Sequence, residues 1–284
     1  MVKLIECPRD AMQGIKDFIP TEQKIAYIDQ LLKVGFDTID FGSFVSHKAI
    51  PQMADTHEVI LSINASKSKS KLLAIVANKR GAVDACGFEQ IQYVGYPFSI
   101  SETFQMRNTN STIAESMETV KEIQELCASH HKKMVIYVSM GFGNPYGDPW
   151  NVQIAQKWVD ELAELGVRII SLSDTIGVST PDSIYYLFSN LIPPYPDVEF
   201  GAHLHTTPRS WKEKIDAAWR GGCKRFDGAM KGMGGCPMAK DDLTGNMPTE
   251  QIINYFDESK INMEIDWKEL SKALLMAEDL FHLK

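Results

Sequence analysis

Long apolar runs are missing from this sequence: no window approaches ~18 consecutive apolar residues, so no segment reads as a membrane-spanning helix. The amino terminus carries no basic stretch, apolar core and small-residue cleavage site, and the protein is expected in the cytoplasm, away from any membrane. Cysteine is scarce, with five residues (Cys7, Cys86, Cys127, Cys223 and Cys236), odd in number, widely spaced and without a Cys-x-x-Cys pair. That pattern speaks against a disulfide framework and for free thiols in a reducing compartment, which leaves the sequons at Asn64 and Asn110 without a glycosylation role. Positive charge is also short. The formal net charge is −8 and basic residues cluster only in pairs such as Lys79-Arg80, so nucleic acid is not an expected partner. Nucleotide-binding glycine loops are absent too: no Gly-x-Gly-x-x-Gly opens a helix after the first strand, and no Gly-Lys-Ser/Thr follows one.

What is present is regular alternation. With 284 residues and 44% hydrophobic composition, the chain can bury a substantial core. Strand-like runs begin near Val2, Asp37, Lys71, Gln90, Lys133, Val167, Val198 and Lys224. Helical periodicity lies between them: Ile25, Ile28 and Leu32 follow Pro20-Thr21, and Ile113, Met117, Val120 and Ile123 follow a Thr112/Glu115 capping box. Further helices are expected over 151–165, 180–192, 208–220 and 248–258. Eight strand-helix units point to an α/β fold, a closed (β/α)8 TIM barrel, with an open doubly wound sheet as the alternative. The reading is one catalytic domain over 1–284, in which 260–284 is a C-terminal helical extension carrying Trp267, Leu270, Leu274, Ala277 and Leu280 at helical spacing.

A barrel of this kind builds its chemistry at the C-terminal ends of its strands and in the loops that follow. The most informative residues sit there. In the seventh strand, His203-Leu204-His205 places two imidazoles on one face, because side chains alternate along a strand. The bland alternative is a half-buried strand with two solvent-facing histidines. A divalent ion needs further ligands, usually oxygen, and imidazole with oxygen suits Mn, Zn or Fe, and Mg less well. Asp10 after the first strand and Asn246 after the eighth are the natural oxygen donors. Cys236 on its glycine-rich loop is either a proton donor or an inert buried thiol, and Asp40 and Asp174 are either site residues or helix caps and interior ion pairs. Met233 and Met238 read as packing.

Taken in order, Pro8-Arg9-Asp10-Ala11-Met12-Gln13, Ser43-Phe44-Val45-Ser46, Pro51-Gln52-Met53, Tyr137-Val138-Ser139, Gly143-Asn144-Pro145-Tyr146, Ser171 to Gly177, His203-Leu204-His205, Gly232 to Pro237 and Gly245-Asn246 span nearly the whole chain. With these motifs the sequence resembles the 3-hydroxy-3-methylglutaryl-CoA lyases, members of a superfamily of metal-dependent barrel lyases and Claisen-type synthases. The resemblance implies that Asp10, His203, His205 and Asn246 hold a divalent cation, Mg or Mn. It implies an acyl-CoA thioester substrate, contacted by Gln13, Asp40, Ser139 and Asp174, and a homo-oligomeric assembly, a dimer. The implied reaction is retro-aldol cleavage to acetyl-CoA and acetoacetate. Arg9 would stabilise the acetyl-CoA enolate, Cys236 would return its proton, and Asp10 or His203 would act as base. Lys48, Lys79, Arg80 and Arg107 are candidates for the CoA phosphates because they lie near strand ends.

The chain departs from that family pattern in several places. Glu6 stands one residue closer to Arg9 than the family's carboxylate, so it either misses the usual place or rides on a bulge. Asp40 replaces a commoner Glu, Thr206 replaces an Asp beside the second histidine, Met238 replaces an aromatic residue, and Asn144 replaces a small residue or cysteine. These departures keep open a related lyase or condensing synthase acting on a different 3-hydroxy acyl-CoA.

Overall fold

A computed structural model describes residues 1–235 and 244–282. Its strands are β1 (Lys3–Glu6), β2 (Thr38–Ser43), β3 (Lys71–Ile75), β4 (Ile91–Ser99), β5 (Lys133–Ser139), β6 (Ile169–Ser173), β7 (Glu199–His203), β8 (His205–Thr206), β9 (Arg225–Gly228) and β10 (Gly245–Asn246). Strands β1 to β7 and β9 pair in chain order and close into a barrel, with β9 lying parallel to both β7 and β1. Each barrel strand begins within two residues of its expected start. The open sheet is therefore excluded, because β1 has a partner on both sides.

The helices are α1 (Pro8–Gln13), α2 (Thr21–Leu31), α3 (Thr56–Ser62), α4 (Lys79–Cys86), α5 (Glu102–Thr109), α6 (Ile113–Ser129), α7 (Val152–Glu164), α8 (Pro181–Leu191), α9 (Trp211–Arg220), α10 (Thr249–Glu258) and α11 (Trp267–Leu280). Period-two alternation in the strands divides the apolar residues into two cores. Met134, Ile136 and Val138 of β5 join the large cluster between barrel and helices, while Val135 and Tyr137 face inward with Leu73, Ile75, Tyr93 and Ile169. The second group plugs the barrel. The capping box of α6 forms as expected: Glu115 N–H donates to the Thr112 hydroxyl at 3.1 Å, and Thr112 N–H donates to the Glu115 carboxylate at 2.8 Å. At the carboxyl end, α11 packs on α2 through an edge-on Tyr27–Phe281 pair, and Gln30 donates to the Glu269 carbonyl at 2.9 Å.

Two features position the site. Helix α1 starts immediately after β1 with Pro8 in its first turn, where proline costs no hydrogen bond, so Arg9 and Asp10 are delivered at the barrel mouth. The antiparallel pair β8 and β10 sets Asn246 directly opposite His205. Strand β1 carries no bulge. Glu6 instead turns outward from the barrel, where it accepts the Met230 N–H at 3.0 Å and the Thr249 hydroxyl.

Candidate metal centre and active site

Asp10, His203 and His205 converge at the mouth of the barrel, with one potential ligand atom from each lying within 4.8 Å of the others. His203 Nε2 is 4.0 Å from an Asp10 carboxylate oxygen, and the two imidazole centroids are 5.7 Å apart. The Asn246 amide contacts that same Asp10 oxygen at 2.6 Å and the Met233 carbonyl at 2.8 Å. The glycine-rich loop reaches this point because Gly234 has φ +84° and a Cβ there would lie 2.5 Å from the Asp10 carbonyl oxygen.

The charges suit a cation. Burial raises the Asp10 pKa, but Arg9, His203, Asn246 and His205 outweigh it, and the carboxyl is held below its usual range. Burial first and the neighbouring His203 second push His205 down to about 4, so its imidazole is neutral near pH 7 and keeps a lone pair for a ligand bond. His205 Nδ1 is buried with no hydrogen-bond partner among the described residues, an uncompensated cost that an ion near the ring would offset. Two imidazoles and a carboxylate, with an amide adjacent, form a donor set that fits a divalent metal.

His203 is oriented by a residue the sequence reading did not single out. Asp227 on β9, its side chain wholly buried, lies 3.2 Å from His203 Nδ1 and accepts a longer contact of 3.4 Å from the Ser171 hydroxyl. That bond fixes Nδ1 as the protonated nitrogen and turns Nε2 toward Asp10. The signal was an acidic residue at an inward position of a strand. Thr206, at the place of the expected aspartate, plays no such part: it bonds the Ser210 hydroxyl at 2.9 Å and the Thr207 carbonyl at 3.0 Å.

Arg9 is clamped from behind. Asp40 accepts from its Nε at 3.0 Å and from Nη2 at 2.5 Å, while Nη1 donates to Asp10 and to Gln13, both at 3.0 Å. Asp40 is fully buried and absent from the cavity wall, so it sits behind Arg9 where a substrate contact was expected. Burial pushes its pKa up to about 6 against the pull of Arg9. Asp174 likewise stands apart from the cavity, as the interior ion pair that was the alternative reading. It accepts from Lys214 Nζ at 2.9 Å and from the backbone and hydroxyl of Ser179. Lys214, also not anticipated, donates at 2.7 Å to the His205 carbonyl and so ties β8 to α9.

Arg9, Asp10, Gln13, Ser139, His203 and His205 line one cavity of about 430 Å³ together with the apolar Val45, Ile50, Ile75 and Phe104. Gly235 also lines it; Cys236 and Met238 lie outside the described residues. Of the candidates for phosphate contacts, Lys48 and Arg80 border an adjoining cavity, Lys79 pairs with Glu122 at 3.1 Å, and Arg107 stacks on Tyr146 with 4.6 Å to the ring centre. The four described cysteines other than Cys236 are buried and free, and among the described residues no helix is long and apolar enough to cross a membrane.

The HMGL-like family model matches residues 2–276. A 3-hydroxy-3-isohexenylglutaryl-CoA/hydroxy-methylglutaryl-CoA lyase of Pseudomonas aeruginosa is 34% identical over 275 residues, covering 96% of this chain and 90% of that protein. The crystal structure of the HMG-CoA lyase from Brucella melitensis superposes with a TM-score of 0.91 at 31% identity, covering 98% of each chain. An HMG-CoA lyase of A. baumannii, solved with coenzyme A and 3-methylmalate, gives a TM-score of 0.90 at 29% identity over 99% of this chain and 92% of that one.

Proposed function

The chain belongs to the HMGL-like family, and from that premise we propose that it is a carbon–carbon lyase cleaving 3-hydroxy-3-methylglutaryl-CoA to acetyl-CoA and acetoacetate. The observation that carries this reading is the convergence of Asp10, His203 and His205 beside a clamped Arg9 on one cavity. A divalent cation, Mg or Mn in our reading, would be held by Asp10, His203, His205 and Asn246 and would act as a Lewis acid toward the substrate's tertiary hydroxyl and carboxylate.

The protein's own groups divide the remaining work. Asp227 holds the Nδ1 proton of His203 and leaves only Nε2 to go to the cation, so of the two candidates we propose the Asp10 carboxylate, whose Asn246-bonded oxygen keeps a second lone pair, as the base that takes the hydroxyl proton. Cleavage then leaves charge on the thioester oxygen. The Arg9 guanidinium, fixed by Asp40 before substrate arrives, stabilises that oxyanion without reorganising. The enolate carbon needs a proton, and Cys236 is the donor we propose; its support is its place one residue beyond Gly235, which lines the cavity. Asp174 holds Lys214, and through it the strand that bears His205, and in this reading makes no substrate contact.

A second reading has its own support. The apolar lining of Val45, Ile50, Ile75 and Phe104 suits a 3-alkyl group longer than methyl, as the name of the P. aeruginosa relative records for that enzyme. We place the protein in the cytoplasm as a homodimer. The test is direct: incubate purified protein with Mg or Mn and the methylglutaryl thioester and assay acetoacetate. No product with either metal refutes the proposal.

A further inference from the structure

Cys86 and Cys127 take no part in the reaction described above, and the fold brings them together on the side of the barrel away from the cavity. Helices α4 and α6 lie side by side and parallel. Lys79, the first residue of α4, pairs with Glu122 of α6 at 3.1 Å, and Cys86 and Cys127 follow between one and two turns further along each helix. Lys132 ties the same two ends. Its N–H donates to the Cys127 carbonyl at 2.8 Å, and its ammonium donates to the carbonyls of Phe88 and Ile91, just past the end of α4, at 2.7 and 2.6 Å. There the Cys127 thiol donates a hydrogen bond to the Cys86 sulfur, and both residues belong to the core between barrel and helices. Wide spacing of cysteines in the sequence speaks against a disulfide framework; it does not speak against a reversible pair.

The two thiols differ. Cys86 keeps 5% of its surface exposed at the carboxyl end of α4, beside the exposed Gly87, while Cys127 keeps none. The hydrogen bond from Cys127, with His130 and the Lys132 ammonium nearby, outweighs burial and draws the Cys86 thiol below its usual range; the same bond and burial push Cys127 up. The carboxyl end of a helix by itself disfavours a thiolate, and the Lys132 charge past that end offsets it. Cys223 is the contrast within the same chain: wholly buried and donating to the Arg225 carbonyl at 3.1 Å, it is pushed by burial up to about 12.

We propose that Cys86 and Cys127 form an oxidation site, a dithiol that hydrogen peroxide converts to an intramolecular disulfide stapling α4 to α6. The Cys86 thiolate attacks one peroxide oxygen, the O–O bond breaks, and the departing hydroxide takes up a proton and leaves as water, giving a sulfenic acid. The Cys127 sulfur then attacks the sulfenic sulfur, the S–O bond breaks, and the hydroxide leaves with the Cys127 proton as a second water. Two thiols give up two electrons and one peroxide is reduced to two waters. Cys86 shortly precedes β4 and Cys127 shortly precedes β5, so the bond forms at the N-terminal face of the barrel, opposite the mouth. The proposal therefore holds whatever reaction the cavity carries out.

The test exposes the reduced, magnesium-loaded protein to stoichiometric hydrogen peroxide, blocks the remaining thiols with iodoacetamide and maps the digest by mass spectrometry. The expected product is a peptide pair joined through Cys86 and Cys127, lighter by two hydrogens than the separate peptides and released by dithiothreitol. The two thiols should be lost at least about tenfold faster than that of Cys223. Closing a loop of about 40 residues should raise the Tm of the oxidised protein by on the order of 5–10 °C, a rise that the same treatment does not produce in Cys127→Ser. Cys127→Ser keeps a donor beside Cys86 and should stop the sequence halfway, leaving a Cys86 sulfenic acid that dimedone traps, whereas Cys86→Ser should leave Cys127 a thiol. The wild-type map needs no variant to fold. Wild type that keeps both thiols under this treatment, a disulfide from either residue to another cysteine, or oxidation of Cys127 at an unchanged rate in Cys86→Ser overturns the proposal. A joined pair without a rise in Tm refutes the staple.

Discussion

Replacing Glu6 by glutamine should make the protein less sensitive to alkali. Glu6 is fully buried between β1 and the segment that leads to the glycine-rich loop, accepting the Met230 N–H and the Thr249 hydroxyl. Burial raises its pKa to about 8 from 4.5, and those two bonds only partly offset the rise. Below about pH 4.5 the folded and unfolded chains both carry the proton; between 4.5 and about 8 only the folded chain does. Over that interval the unfolded state binds fewer protons, so stability falls by about 1.36 kcal/mol per pH unit. The loss accumulates to on the order of 5 kcal/mol by pH 8. Glutamine cannot ionise and keeps one acceptor oxygen, at a cost of about 1 kcal/mol for the bond it loses. Glu6→Gln should therefore be slightly less stable than wild type near pH 5 and clearly more stable at pH 8. Thermal unfolding of both proteins from pH 5 to 8 isolates the effect, because the other titrating groups cancel in the difference. At roughly 2 °C per kcal/mol for a chain of this size, the gap in Tm should swing by on the order of 10 °C. A gap that stays constant across the series would show that Glu6 is ionised in the fold, and would refute the argument.

Three further outcomes follow from the site. Asp227→Asn removes the charge that orients His203, and metal affinity measured by chelator competition should drop about 10–100-fold; unchanged affinity and turnover would mean the imidazole is held by something else. Lys214→Met strands the buried Asp174 carboxylate and should lower stability by about 3–5 kcal/mol in denaturant unfolding, with partial recovery in the Lys214→Met/Asp174→Asn double variant; a loss below about 1 kcal/mol would contradict the pairing. Stripping metal with a chelator should abolish turnover and, from saturation at 100 times Kd, cost about 2.7 kcal/mol of stability; an unchanged Tm and rate would exclude a resident cation.

How much of this was legible beforehand differs by residue. The eight strands, the α6 capping box and the histidine pair are written locally, in alternation, in the Thr112/Glu115 spacing and in adjacent positions of one strand. Arg9, Asp10, Gln13 and Ser139 were placed at the cavity because a barrel carries its chemistry at the C-terminal strand ends. The same rule left Asp40 and Asp174 open between site residue and interior ion pair, and the structure pairs each with a buried cation. A carboxylate at a strand end can face the cavity or stand behind a cation, and the choice rests on Arg9 and Lys214, which lie 31 and 40 residues away.

The sequence by itself determined the eight strand-helix units, because hydrophobic period and spacing depend only on neighbours along the chain, and it determined which imidazoles and carboxylates were available. Only the tertiary structure decided what each group does. Closure brings β9 beside β7, which gives His203 its partner Asp227; the β8–β10 pairing brings Asn246 to Asp10; and burial, which exists only once the layers pack, sets His205 neutral.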